Sequence, residues 1–274
     1  MSNKKYKGVI VDLDGIVWRG NRPLKNNIEA LRLLHQRGAR IVFLSNNAAR
    51  SRAEYLEKLR SLGLPADMKN MINSGFAATY YLRGKNGKKV FIIGEAGLFY
   101  EATINGLIPV SIGTKADHVI VGLDRFLTYD KLAWATILIR QGATFIATNT
   151  DATLPHNDEE LPGAGSIVAF LETATGKKPD IIIGKPNPWI LELALKLNNL
   201  EKQDVLIIGD RLDTDILLGV KSGVDTLLVL TGVSSIDDIE RLNITPTYVA
   251  KDLKSFVEEF NELFQLATEN HQIN

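Results

Sequence analysis

Along the chain, short apolar runs end in polar or glycine-containing turns and give way to stretches whose apolar positions recur every three or four residues. That alternation marks a parallel sheet with helices against it, an α/β fold. The first strand is predicted at Gly8 to Asp12. Ile28, Leu31 and Leu34 then share one helix face, Gly38 stops that helix, and Ala39 to Leu44 follows as a strand. Ser51 with Glu54 forms a capping box, Leu56, Leu59 and Leu62 supply a buried stripe, and Gly63 ends the second helix. Further strands are predicted at Val90–Ile93, Val119–Val121, Phe145–Ala147, Ile181–Ile183, Val205–Ile208 and Leu227–Leu230. Helices are centred near Trp134, Val168, Leu193, Leu218 and Phe260, and the polar tail Thr268–Asn274 is expected to fray. No repeat or low-complexity linker marks a boundary, so periodicity alone describes a single α/β block.

Composition narrows the function classes. The 274 residues suffice for a large core, or for a core plus a smaller unit, since single cores stop growing near about 250–300 residues. Hydrophobic residues at 45% and charged ones at 23% place the chain among ordinary soluble proteins. Lys plus Arg equals Asp plus Glu at 32 each, which leaves no positive field to attract nucleic acid or an anionic membrane. Cysteine is absent, which excludes disulfides, thiolate metal sites and cysteine nucleophiles. The first apolar run is too short for a signal or membrane segment, so a cytoplasmic location is expected.

Four strand ends carry candidate chemistry. Asp12 and Asp14 follow Gly8-Val9-Ile10-Val11 and, two apart in extended chain, point the same way. Two carboxylates that close repel unless a cation or a proton relieves them, and an all-oxygen site suits Mg²⁺. Ser45-Asn46-Asn47 follows a second strand; a hydroxyl and amides there can hold phosphate oxygens, or can equally serve the turn itself. Lys185, in Gly184-Lys185-Pro186-Asn187-Pro188, precedes a helix opened by Pro188, which favours an anion, although a solvated surface lysine is the plain alternative. Gly209-Asp210-Arg211-Leu212-Asp213-Thr214-Asp215 crowds acidic groups after a fourth strand, where Asp213 or Asp215 is also read as a helix cap. What favours function is the conjunction: open α/β sheets bind ligands at the carboxyl ends of their strands, and all four groups fall there. His35, His118, His156 and His271 show no metal-ligand spacing, and Pro162-Gly163-Ala164-Gly165-Ser166 lacks the order of a dinucleotide loop and reads as a helix opening.

These residues resemble the haloacid dehalogenase superfamily, whose motifs are matched in order by Asp12-Leu13-Asp14-Gly15, Ser45, Lys185 and Gly209-Asp210…Asp215. Leu44-Ser45-Asn46-Asn47, Ala147-Thr148-Asn149-Thr150-Asp151 and Pro162-Gly163-Ala164-Gly165-Ser166 are similar to its NagD-like, 4-nitrophenylphosphatase subgroup. The resemblance implies a Rossmann-like three-layer catalytic core with a parallel sheet, over about residues 1–77 and 183–274, and an inserted α/β cap at 78–182. It implies a phosphatase for a small phosphorylated metabolite, with Asp12 as nucleophile and Asp14 as general acid and base. Ser45, Asn46 and Lys185 would hold the phosphoryl group. Mg²⁺ would lie between Asp12, the Asp14 carbonyl and Asp210, with Asp215 behind.

The selectivity loop of the family corresponds to Asp151-Ala152-Thr153-Leu154-Pro155. Pyridoxal-phosphate phosphatases resemble this loop with histidine at the place of Leu154, so the leucine leans toward phosphoglycolate-like or other small monoesters. Trp18, on the flap after Asp14, is a further candidate for contact with the leaving group, or packs under the loop. Members often associate through the cap, which makes a homodimer an expectation. A phosphomutase and a non-catalytic phosphate-binding module are the alternatives that the same motifs leave open.

Overall fold

The run Gly8–Val11 is buried at all four positions because it pairs on both sides, and a strand covered on both faces has no place for polar residues. It is the central strand of a parallel sheet in the computed structural model, which describes residues 5–156 and 159–264. The predicted fraying tail Thr268–Asn274, with His271, lies outside those residues.

Two units divide the chain. The first comprises Met1–Phe43, Arg60–Pro65 and Leu195–Asn274; the second comprises Leu44–Leu59 and Ala66–Ala194. In the first, strands run in the order Tyr248–Ala250, Asp225–Val229, Val205–Gly209, Gly8–Val11 and Arg40–Ser45, the last continuing past the division. Val11 lies opposite both Ile208 and Phe43, and Gly209 opposite Leu228. Residues that follow Val11, Gly209 and Val229 therefore emerge at one carboxyl edge. Helix Lys25–Gln36 buries Ile28, Leu31 and Leu34 as the periodicity predicts.

The second unit carries its own parallel sheet, ordered Ile181–Ile182, Thr144–Ala147, His118–Val121, Lys89–Ile93 and Ile108–Pro109. Helices Tyr129–Arg140 and Ala164–Thr175 pack Leu138, Ile139, Val168 and Leu171 against Phe91, Val119 and Phe145. Thr128 caps the first of these helices with its hydroxyl, and Gly163 opens the second. The capping box at Ser51 is formed, with both the amide and the hydroxyl of Ser51 donating to Glu54 at 2.8 Å. That helix, Arg52–Ser61, stops one residue short of Leu62. Phe260 breaks the terminal helix where a centre was expected, separating Leu253–Glu259 from a turn of 3₁₀ helix at Asn261–Phe264. No helix among the described residues is long and apolar enough to cross a membrane.

One polar contact in the second unit is wholly enclosed. Arg52 and Glu101, with side chains 7% and 0% exposed, pair at 3.2 Å, and the Arg52 amide also donates to Glu101 at 2.8 Å. Burial pushes the Glu101 carboxyl up and the Arg52 guanidinium down from their ordinary values, against their mutual attraction. A pair held at that cost is most damaging when half of it is removed, because the guanidinium would keep only the Met68 carbonyl and the Phe76 ring from these contacts. Glu101→Ala should lower unfolding stability by about 3–5 kcal/mol, and Arg52→Met added to it should restore part of the loss, both read from urea transitions.

Candidate active site

Asp12 leaves the sheet directly after Val11, its amide still donating to the Ile208 carbonyl at 2.9 Å, so the backbone beneath the carboxylate is fixed. Asp210 leaves the neighbouring strand at the same edge, and Asp215 returns toward it on a single π-helical turn, Leu212–Ile216. One carboxylate oxygen from each of Asp12, Asp210 and Asp215 lies within 4.8 Å of the others, and Asp210 and Asp215 are each 2% exposed. Three carboxylates that close, two of them out of water, repel unless a cation or a shared proton relieves them. The all-oxygen donor set is the kind that a hard divalent cation takes. Asp215 serves no helix N-cap; its Oδ2 accepts instead from the Arg211 amide at 3.2 Å, which turns it into the cluster.

Asp14 is held from its own loop. The Trp18 indole N–H donates to Asp14 Oδ1 at 3.0 Å, and Trp18 is only 2% exposed. The tryptophan thus packs under the loop and orients Asp14, while the Gly15 amide donates to the Trp18 carbonyl at 2.7 Å and closes the turn. Gly15 has φ +81°, and a Cβ there would fall on the Asp210 side chain, so only glycine meets both demands. Trp18→Phe keeps the packing and deletes the indole donor. A hydrogen bond to a charged group contributes about 1.5–3 kcal/mol, so kcat should fall about tenfold or more with little change in melting temperature.

A fifth polar strand end completes this region and was not singled out in the sequence. After Asp225–Val229 the loop Thr231-Gly232-Val233-Ser234 wraps Asp210: the Val233 amide donates to Asp210 Oδ2 at 2.8 Å and the Ser234 amide to its carbonyl at 3.0 Å. Thr231 donates its hydroxyl to the Gly15 carbonyl at 2.5 Å, and Asn27, 1% exposed, donates to the Ile16 carbonyl at 2.9 Å. The signal was available, since Leu227–Leu230 delivers Thr231-Gly232 at a strand end just as the other strands deliver their motifs. Asn27 carried none, because one asparagine in an amphipathic helix looks like any surface position.

Ser45, Asn46 and Lys185 come together in the second unit and are 3%, 8% and 3% exposed. The Lys185 ammonium donates to the Leu44 carbonyl at 3.2 Å, and Ser45 Oγ accepts from the Asn47 amide at 3.2 Å. Lys185 is therefore no solvated surface lysine. Leu154 lies opposite Leu161 in an antiparallel hairpin of Thr153–His156 with Glu159–Pro162 and is half-buried. His35 is exposed and His118 is buried against the Asn86 carbonyl at 3.1 Å.

The haloacid dehalogenase-like hydrolase family matches residues 9–108, and a second profile described as haloacid dehalogenase hydrolase-like matches residues 182–256. An acid sugar phosphatase of Staphylococcus aureus is 36% identical over 260 residues, covering 94% of this chain and 100% of that one. A p-nitrophenyl phosphatase from Archaeoglobus fulgidus superposes with a TM-score of 0.88 at 36% identity, covering 93% of this chain and 99% of the other. NagD from E. coli K-12 does so at 0.82 and 32% identity, covering 91% and 98%. The chain belongs to the haloacid dehalogenase-like hydrolases and, within them, to the phosphatases of the NagD and 4-nitrophenylphosphatase type.

Proposed function

We propose that this phosphatase is Mg²⁺-dependent, acts on small phosphate monoesters, and works through a phosphoryl group carried on Asp12. The observation that carries the reading is the Asp12, Asp210 and Asp215 cluster at the edge of the central strands, with Asp14 two residues beyond Asp12. An Asp12 carboxylate oxygen forms a bond to phosphorus as the ester oxygen leaves, and Asp14 gives that oxygen its proton. Asp14 then takes a proton from water, whose oxygen attacks the same phosphorus and returns Asp12 with release of inorganic phosphate. Lys185 and Ser45 offer an ammonium and a hydroxyl to the equatorial oxygens, where positioning and charge do most of the catalysis. A divalent cation held by Asp12, Asp210 and the Asp14 carbonyl, with Asp215 in the same cluster, would supply the positive charge that lets an anionic nucleophile approach an anionic phosphate.

The relatives named for sugar and nitrophenyl phosphates support a small-molecule substrate. The hairpin bearing Leu154 is proposed to select it. Phosphate release should be measured from 4-nitrophenyl phosphate, phosphoglycolate, glycerol phosphate and hexose phosphates, with Mg²⁺ or with EDTA. Release that EDTA abolishes and added Mg²⁺ restores is expected. Turnover undiminished by EDTA would overturn the metal requirement, and no release from any monoester would overturn the substrate class.

A further inference from the structure

Resting on that reading, we propose that Asn46 and Asp151 do not bind substrate but form a positioning pair that fixes the backbone of Lys185. The argument starts from hydrogen-bond capacity. A side-chain amide has two N–H hydrogens and one carbonyl oxygen. Asn46 Oδ1 accepts from the Lys185 amide at 2.8 Å, while Nδ2 donates to the Lys185 carbonyl at 3.0 Å. The side chain thus pairs with the peptide of Lys185 as a neighbouring strand would. Nδ2 lies 3.2 Å from both oxygens of the Asp151 carboxylate, to which it donates its remaining hydrogen. Both hydrogens are committed, so this amide has none left for a phosphoryl oxygen.

Asp151 decides which way the amide points. An ionised carboxylate only accepts, so it requires Nδ2 on its side, and that leaves Oδ1 toward the Lys185 amide. With a donor and an acceptor both in register, the Lys185 backbone has one placement, and its side chain starts from a fixed origin on the way to the Leu44 carbonyl at 3.2 Å. Asn46 is itself anchored from behind, where the Ser74 hydroxyl donates to its carbonyl at 2.5 Å.

The glycine pair at Gly163 and Gly165, which bears no chemistry of its own, has a role in the same arrangement. The Gly165 amide donates to the Asp151 carbonyl at 2.9 Å, and a Cβ on Gly165 would lie 2.8 Å from that oxygen. A Cβ on Gly163 would fall on it as well. The start of helix Ala164–Thr175 is therefore bare so that the backbone of Asp151 can sit against it. Three segments that match the subgroup, at Ser45-Asn46-Asn47, Thr148-Asn149-Thr150-Asp151 and Gly163-Ala164-Gly165, thereby converge on the placement of one lysine.

The test is a swap. Asn46→Asp puts a carboxylate against Asp151 and against the Lys185 carbonyl, whereas Asp151→Asn in the same chain restores a donor across the first contact. Each single variant and the double variant should be measured for kcat and KM with 4-nitrophenyl phosphate, and by calorimetry for binding of inorganic phosphate in Mg²⁺. Misplacement of a catalytic group by an ångström costs about 10²-fold. Asn46→Asp is thus expected to lose about 100-fold in kcat and to bind inorganic phosphate weakly, with the double variant recovering at least about tenfold in both. If Asp151→Asn behaves as the native protein and fails to rescue Asn46→Asp in either measurement, the amide acts on substrate directly and the proposal is overturned. Native protein that binds inorganic phosphate without turnover would count against the phosphatase reading alone, because the swap would still be read from binding.

Discussion

Asp12→Asn should abolish phosphate release, by at least about 10³-fold, in a protein that melts no lower than the native one. The substitution is isosteric, and the Asp12 amide keeps its 2.9 Å bond to Ile208 whatever the side chain, so the fold has no reason to change. Chemically the change is complete, since a neutral amide oxygen is a poor nucleophile and cannot carry the phosphoryl group. The accompanying stability measurement separates loss of chemistry from loss of structure. With EDTA present, three clustered carboxylates become two, and the relieved repulsion should raise the melting temperature. Residual Mg²⁺-dependent release at more than about a tenth of the native rate would mean that another group attacks phosphorus.

Gly232→Ala should cost about 10–100-fold in Mg²⁺ affinity, although Gly232 bears no ligand. The added Cβ falls on the Asp210 carboxylate, and that side chain is buried and receives the Val233 amide at 2.8 Å. The carboxylate or the loop must shift, and either movement disturbs the placement of the Asp210 oxygens beside Asp12 and Asp215. The expected signature is a Mg²⁺ activation curve displaced to higher concentration, with kcat partly recovered at saturation. Gly84→Ala is the control, because nothing lies within 4 Å of a Cβ there. A displaced curve in the control, or an unchanged one in Gly232→Ala, would show that crowding at Asp210 is not what governs the metal.

The contrast between Asp210 and Gly232 also shows what could be read before the structure. Buried strands such as Gly8–Val11 announce themselves, because a parallel strand covered on both faces is apolar without interruption, and the charged residues that end such runs stand out. Helix Lys25–Gln36 was equally plain from its stripe of Ile28, Leu31 and Leu34. Helices Ser74–Leu82 and Ala96–Ile104 were not: small buried residues around much of the first erase its periodicity, and exposed Phe99, Tyr100 and Ile104 blur the buried face of the second. Trp18 was open to two readings because a tryptophan next to a catalytic motif can face substrate or face inward, and only its hydrogen bond to Asp14 shows the inward choice. Asp151 presents the deepest limit: its partner Asn46 lies 105 residues earlier, and no local pattern reports a contact of that range.

The central position of Gly8–Val11 also has a consequence for how the protein is made. Gly8–Val11 needs Arg40–Ser45 on one side and Val205–Gly209 on the other, and the second of these is synthesised only after the second unit. Its buried apolar face must wait through the synthesis of nearly all of the second unit, whose parallel strands lie between Lys89 and Ile182 and can pair among themselves first. Long-range parallel pairing is slow and exposes apolar edges while it waits. A nascent chain whose second unit has emerged, but whose Val205–Gly209 has not, should thus hold that unit folded and the segment around Gly8–Val11 open to protease, and protease resistance of that segment should appear only once Val205–Gly209 has emerged.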